Sequence, residues 1–245
     1  MFPLRDLNPT RLRPYATLAF IAANIAVFFL WQPHGGDIEE IRFLHANALI
    51  PCELTSGEPL SFAEVQRQRC LDVLSGPLWF PDKSIEASLF VSMFLHGGLL
   101  HLGGNMWFLW VFGNNVEEAY GRVSYVLLYL AAGVIATLAF VFAHPDSTVT
   151  LIGASGAVAG VLGSYLVLFP RATVMSFAVI ILIPVPAVLF LGLWFVAQFV
   201  TAQPGVAWEA HVAGFLVGAG LSLILRGPLL RRHAALHRTA PPPLW

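Results

Sequence analysis

Ser155 stands in the run Gly153-Ala154-Ser155-Gly156 at the head of an apolar stretch, and His211 heads another apolar stretch 56 residues later. A serine becomes an acyl-accepting nucleophile when a neighbouring histidine takes its hydroxyl proton. His101 and Asn105 are four residues apart, so on a helix they share one face. Both are hydrogen-bonding groups that are costly to bury without partners. His96 lies just ahead of them. Polar and ionisable residues inside apolar segments are functional candidates by default, and in this chain they are few.

Other chemistries fit less well. No Asp or Glu falls at the centre of an apolar run, which argues against a paired-aspartate protease and a carboxylate proton relay. No His-Glu-x-x-His occurs, so that zinc-protease pattern is absent, and no cofactor or metal is expected. Glu117-Glu118-x-x-x-Arg122 and His101-x-x-x-Asn105 match motifs of intramembrane glutamate proteases, but in reversed order. The two glutamates fall in a short connection, where Glu117 is expected to cap or anchor a helix end. A net charge of −1 gives no basic surface for nucleic acid.

The elements that must position these residues are apolar helices. Hydrophobic residues make up 57% of the 245 and charged ones 11%, and mean hydropathy is +0.73. Several nearly uncharged runs approach the roughly 20 residues that a membrane helix needs. The spans read as 15–31, 97–113, 123–143, 155–169, 186–202 and 211–226, an all-α membrane domain over 15–226 between a 1–14 segment and a 227–245 tail. The start resembles a signal peptide, but the run ends in Trp31-Gln32-Pro33-His34 without a small-residue cleavage pattern, so a retained first span is expected. The apolar run 172–185 is broken by Pro184 and Pro186. It reads as a half-span, an interfacial segment or an early start to the fifth helix.

Six spans put both termini on one side. With the termini inside, 9 of 13 Lys and Arg are inside and 11 of 14 Asp and Glu are outside. The bias towards basic residues on the cytoplasmic side makes both termini cytoplasmic. The remaining basic residues lie in the 32–96 loop, which is long enough to suggest a binding or functional element. Its Leu78-Trp79-Phe80-Pro81 reads either as an interfacial turn or as part of a solvated loop. Cys52 and Cys70 share this loop, and in an oxidising compartment they are expected to pair. Closing such a loop contributes about 3 kcal/mol in the chain-entropy model.

Small residues recur on both candidate helices. Ser155, Ala159 and Gly163 form one row, and His211, Gly214 and Gly218 another. Such rows let helix backbones approach closely. Packing the two rows together would bring Ser155 and His211 to one end of the bundle.

Three segments in order, His96-Gly-Gly-Leu-Leu-His101-Leu-Gly-Gly-Asn105, Gly153-Ala-Ser155-Gly156 and Ala210-His211-Val-Ala-Gly214-Phe-Leu-Val-Gly218, resemble the rhomboid family of intramembrane serine proteases. The resemblance covers about residues 15–226 and implies the six-helix form. It implies a Ser155–His211 dyad that cleaves transmembrane substrates in the lipid bilayer. It makes His101 and Asn105 the oxyanion donors, His96 a structural histidine and Gly153 the glycine two before the serine. It likens the first loop to the family's membrane-embedded loop and the fifth helix to a lateral gate, where Phe190 and Trp194 share a face. An inactive, client-binding relative is the alternative; such relatives typically lack the serine or histidine, and this chain keeps both. The compact form suits a bacterial cytoplasmic membrane. Two departures stand out. Ala159 occupies the position where the family often has an aromatic packed on the histidine, and the first loop lacks a Trp-Arg pair.

Overall fold

The computed structural model describes residues 1–36, 38–71, 76–178, 181–200 and 206–239. Strand β1 (Phe2–Asp6) precedes the apolar helix α1 (Tyr15–Leu30). Four short helices follow: α2 (Ile38–Asn47), α3 (Pro51–Ser56), α4 (Phe62–Arg67) and α5 (Ile85–Val91). The long helices α6 (Leu99–Tyr120) and α7 (Arg122–Ala143) come next, then α8 (Ser155–Leu168), strands β2 (Thr173–Ala178) and β3 (Ile181–Pro186), α9 (Ala187–Val200) and α10 (Trp208–Thr239).

The helices pack as a bundle. α8 touches α6, α7, α9 and α10, and all but two of its residues from Gly156 to Leu168 are buried. A helix that is apolar on every side belongs at the centre. Around it, Phe112, Tyr125, Tyr129 and Leu109 fill the core. The outer surface is apolar too: Leu100, Phe142, Leu30 and Ile224 are all at least 79% exposed. Continuous apolar exposure on this scale suits lipid rather than water. α7 and α10 are each long and apolar enough to cross a bilayer. The segment Ile85–Phe94 and α6 qualify as a pair bent by 78°. α1, α8 and α9 are apolar but shorter.

Two helix junctions explain the reversals. Gly121 alone separates α6 from α7, with φ +78°, a left-handed conformation that glycine adopts without a Cβ clash. At the other end Gly153, with φ +120°, turns the chain into α8.

The run 172–185 is not helical. It forms most of the β2–β3 hairpin, and β1 adds to β2 in a three-stranded antiparallel sheet of order β1-β2-β3. Pro184 and Pro186 lie on β3, which among the described residues pairs only with β2. An edge strand is where a residue without an N–H is tolerated. The expected boundary at residue 226 falls within α10, which continues past Pro228 to Thr239.

The first loop is ordered by polar anchors. Cys52 and Cys70 are joined by a disulfide with Cα atoms 5.8 Å apart. Lys83 Nζ lies 2.5 Å from Glu53 Oε2 and donates to the carbonyl of His45 at 2.7 Å. Ser61 and Glu64 form a reciprocal capping box at the start of α4. The loop also holds the approach to α8: Leu151 N–H donates to Leu49 O, Cys52 N–H to Ser147 O, and Thr55 Oγ1 to Pro145 O.

Candidate active site

Ser155 is the first residue of α8. The N–H groups of a helix's first turn have no intrahelical acceptor, and the first helical bond into α8 comes from Val158 N–H to Ala154 O. The Ser155 N–H is therefore a free donor beside its own hydroxyl. His211 lies in the first turn of α10, and its Nε2 is 2.8 Å from Ser155 Oγ.

Backbone contact sets that distance. A Cβ on Gly214 would strike the Gly156 carbonyl, one on Gly218 the Gly160 carbonyl, and one on Gly163 the Phe215 carbonyl. The close row on α8 therefore runs through Gly156 and Gly160 as well as Gly163, rather than through Ser155 and Ala159. Ser164 Oγ adds a hydrogen bond to Gly218 O at 3.1 Å.

The proton position on His211 follows from its neighbours. Gln198 Nε2 donates to the Trp194 carbonyl at 3.1 Å. This fixes the amide so that Gln198 Oε1 faces His211 Nδ1 at 2.8 Å. An amide oxygen only accepts, so Nδ1 carries the proton and Nε2 is left to accept from Ser155. Trp194 packs near the imidazole, with ring centroids 6.2 Å apart, and stacks on Phe215. Gln198 and Trp194 of α9 thus supply what Ala159 does not. Glu209 lies two residues before His211, but it pairs with His144 at 2.9 Å and not with the imidazole.

His101 faces the same point. The Gly97 N–H donates to its Nδ1 at 3.3 Å, so Nε2 bears the ring proton. A Cβ on Gly153 would lie 2.7 Å from that Nε2 and 3.7 Å from Ser155 Oγ. Glycine is needed there both for its φ and for the space the imidazole occupies. Asn105 Nδ2 donates one hydrogen to His101 O at 3.1 Å, which leaves a second N–H to spare. His96 is fully buried, and its ring packs edge-on to His101 at 5.1 Å. Gln32 brackets its backbone, donating to His96 O at 2.5 Å and accepting from His96 N–H at 3.1 Å.

Ser155, His211, His101, Asn105 and Trp194 all line one open cavity of about 1190 Å³. Phe190 does not line it. That ring is buried between α9 and α6, against Phe108 and Phe112. Glu117 and Glu118 are in the last turn of α6, not in a connection. Glu117 lies 16 residues beyond His101, about 24 Å along a helix.

Comparison with known proteins accords with this geometry. The Rhomboid domain family matches residues 86–228. The chain belongs to the rhomboid family. It is 32% identical over 155 residues to Rhomboid protease GluP of Bacillus subtilis, covering 63% of this chain and 24% of that protein. It is 31% identical over 146 residues to Rhomboid protein 1, mitochondrial, of Saccharomyces cerevisiae, covering 54% and 40%. It is 30% identical over 161 residues to Rhomboid-related protein 2 of Mus musculus, covering 61% and 52%. The rhomboid chain thus spans about a quarter to a half of the length of these curated relatives. Rhomboids are generally intramembrane serine proteases, and this chain is an integral membrane protein.

Sequence reasoning missed Gln198. It is a polar residue in an otherwise apolar helix, and that interruption was the available signal.

Proposed function

We propose that this rhomboid is an intramembrane serine endopeptidase that cleaves transmembrane segments near the extracytoplasmic surface. The observation that carries the reading is the 2.8 Å approach of Ser155 Oγ to an imidazole whose far nitrogen is held by Gln198, at the wall of an open cavity. Six spans (α1, α6, α7, α8, α9 and α10) with both termini in the cytoplasm of a bacterial cell fit the arginine distribution. No cofactor or metal enters the reaction.

Ser155 Oγ attacks the scissile carbonyl carbon as His211 Nε2 takes its proton. The carbonyl oxygen becomes an oxyanion that accepts from His101 Nε2–H, Asn105 Nδ2–H and the Ser155 N–H. The tetrahedral adduct collapses, the C–N bond breaks, and His211 returns the proton to the departing amine. A water molecule then attacks the acyl-serine, with His211 as base again, and releases the carboxylic acid. Substrate helices must unwind to expose their backbone, so helix-weakening residues in the substrate favour cleavage. The catalytically inactive, client-binding reading is disfavoured by the bonded Ser155–His211 pair.

Detergent-purified protein incubated with a reporter transmembrane substrate tests the reading. Wild type is expected to cleave and to be labelled by a fluorophosphonate, and Ser155→Ala to do neither. Labelling or cleavage that survives in Ser155→Ala would overturn the nucleophile.

A further inference from the structure

The end of the bundle away from Ser155 holds a second cavity, of about 340 Å³, at the junction of the α1 approach, the α6–α7 turn and α10. Its lining includes Arg13, Arg122, Arg232, Glu117 and Glu118. The two acids are committed elsewhere. Glu117 accepts from the N–H groups of Ala16 and Thr17 and from Thr17 Oγ1. Glu118 accepts from the N–H groups of Arg11 and Leu12 and from His237 Nε2. Among the described residues, neither Arg122 nor Arg232 is in an ion pair. Arg122 lies over the Tyr15 ring, 4.7 Å from its centroid. The Arg232 guanidinium lies against Gly121, where a Cβ would be 3.2 Å from Nη2 and 3.3 Å from Cζ. Both cations are thus held at the lining by contacts other than a direct ion pair, and with Arg13 the three guanidiniums outnumber the two carboxylates there.

Planar guanidinium groups match phosphate oxygens through paired N–H donors. The pocket also opens at the start of α7. There Val123 and Leu127, one turn apart on one face, are 76% and 63% exposed. An apolar stripe leading from a cationic pocket of this size matches a lipid, with its phosphate in the pocket and its chains along the helix. Basic pockets between membrane helices on the cytoplasmic side are suited to anionic headgroups. We infer that this pocket binds the headgroup of an anionic phospholipid, with Arg122 and Arg232 on the phosphodiester and the acyl chains along Val123 and Leu127. The inference rests on the membrane location of the chain and not on its catalysis.

Native mass spectrometry of tag-free protein, exchanged into equal mixtures of phosphatidylglycerol and phosphatidylcholine, tests it. Wild type is expected to retain one phosphatidylglycerol preferentially. Arg122→Gln and Arg232→Gln are each expected to weaken that preference about fivefold, the contribution of one basic side chain near a membrane surface. Equal retention of the two lipids by wild type would overturn the proposal without any variant. So would a preference unchanged in a folded Arg122→Gln/Arg232→Gln protein. A third arm adds inorganic phosphate, or a soluble acidic peptide, to protein in phosphatidylcholine nanodiscs. If either raises the melting temperature as much as phosphatidylglycerol does, the ligand is not a lipid.

Discussion

The two ends of the bundle use similar polar residues to opposite effect. At the Ser155 end, histidine, asparagine, glutamine and serine side chains converge on a cavity, and several donors face open space. At the Glu117 end, carboxylates are closed off by backbone N–H groups and neighbouring side chains. Glu117 satisfies the first turn of α1 from the last turn of α6. Asp6 Oδ2 accepts from Tyr165 and Asn115 at 2.6 Å each. Polar groups inside an apolar bundle can fix the chain when fully satisfied or do chemistry when left partly free. Here the side chains around the dyad stay partly free at one end, and Asp6, Glu117 and Glu118 are spent on structure at the other.

The sharpest break between the ends comes from the dyad. Ser155→Ala and His211→Ala are each expected to lower turnover by about 10⁴ or more, and the double variant to be hardly worse than either, because the pair acts as a unit. Turnover measurements on all three variants check this, and additive losses would separate the two residues. Asn105→Ala is expected to lose on the order of 10² to 10³ in rate while leaving measurable cleavage. Wild-type turnover in this variant would make Asn105 purely structural.

The opposite end is expected to respond in stability. Burial pushes the Asp6 carboxyl up to about 6, despite its bonds from Tyr165. The native state therefore binds this proton more tightly than the unfolded chain, in which an aspartate titrates near 3.9. Stability from this group falls as pH rises between those two values, and the loss is complete above the upper one. Asp6→Asn should remove that slope and stabilise the protein at pH 7 by up to about 3 kcal/mol relative to wild type, with little difference near pH 4. Melting curves between pH 4 and 7 read this directly; parallel curves would show that Asp6 is not responsible. Glu117→Gln replaces an acceptor-only group with one that must turn an N–H towards donors, and should destabilise by about 1 to 3 kcal/mol. Its turnover below the melting transition should stay near wild type. Lost cleavage in folded Glu117→Gln, with Ser155→Ala still active, would instead favour glutamate chemistry.

The sequence made the Ser155 end far more legible than the other. His101, Asn105, Ser155 and His211 are conspicuous because each is a costly polar group in an apolar run, and small residues beside two of them imply close helices. The helices themselves follow from the same apolarity. The sheet was hidden because an apolar run of 14 residues, broken by Pro184 and followed by Pro186, reads as a half-span, an interfacial segment or an early start to the fifth helix. The strand Phe2–Asp6, far away in sequence, completes the sheet on the other side of β2, and the prolines fall on the edge strand β3. The roles of Glu117 and Asp6 depend on partners about 100 or more residues away, which no local pattern encodes. Gln198 reaches His211 from a different helix, so its residue type was visible and its partner was not.

The glycine contacts between α8 and α10 make the reactive distance a matter of manufacturing tolerance. Gly214 and Gly218 press against the carbonyls of Gly156 and Gly160, so the spacing of two rigid rods, rather than the reach of side chains, gauges the gap between Ser155 and His211. Misplacement of a reacting group by about 1 Å can lose a hundredfold in rate. A single methyl group at Gly214, remote from every bond that forms or breaks, acts as a shim between the rods and puts the assembly out of specification.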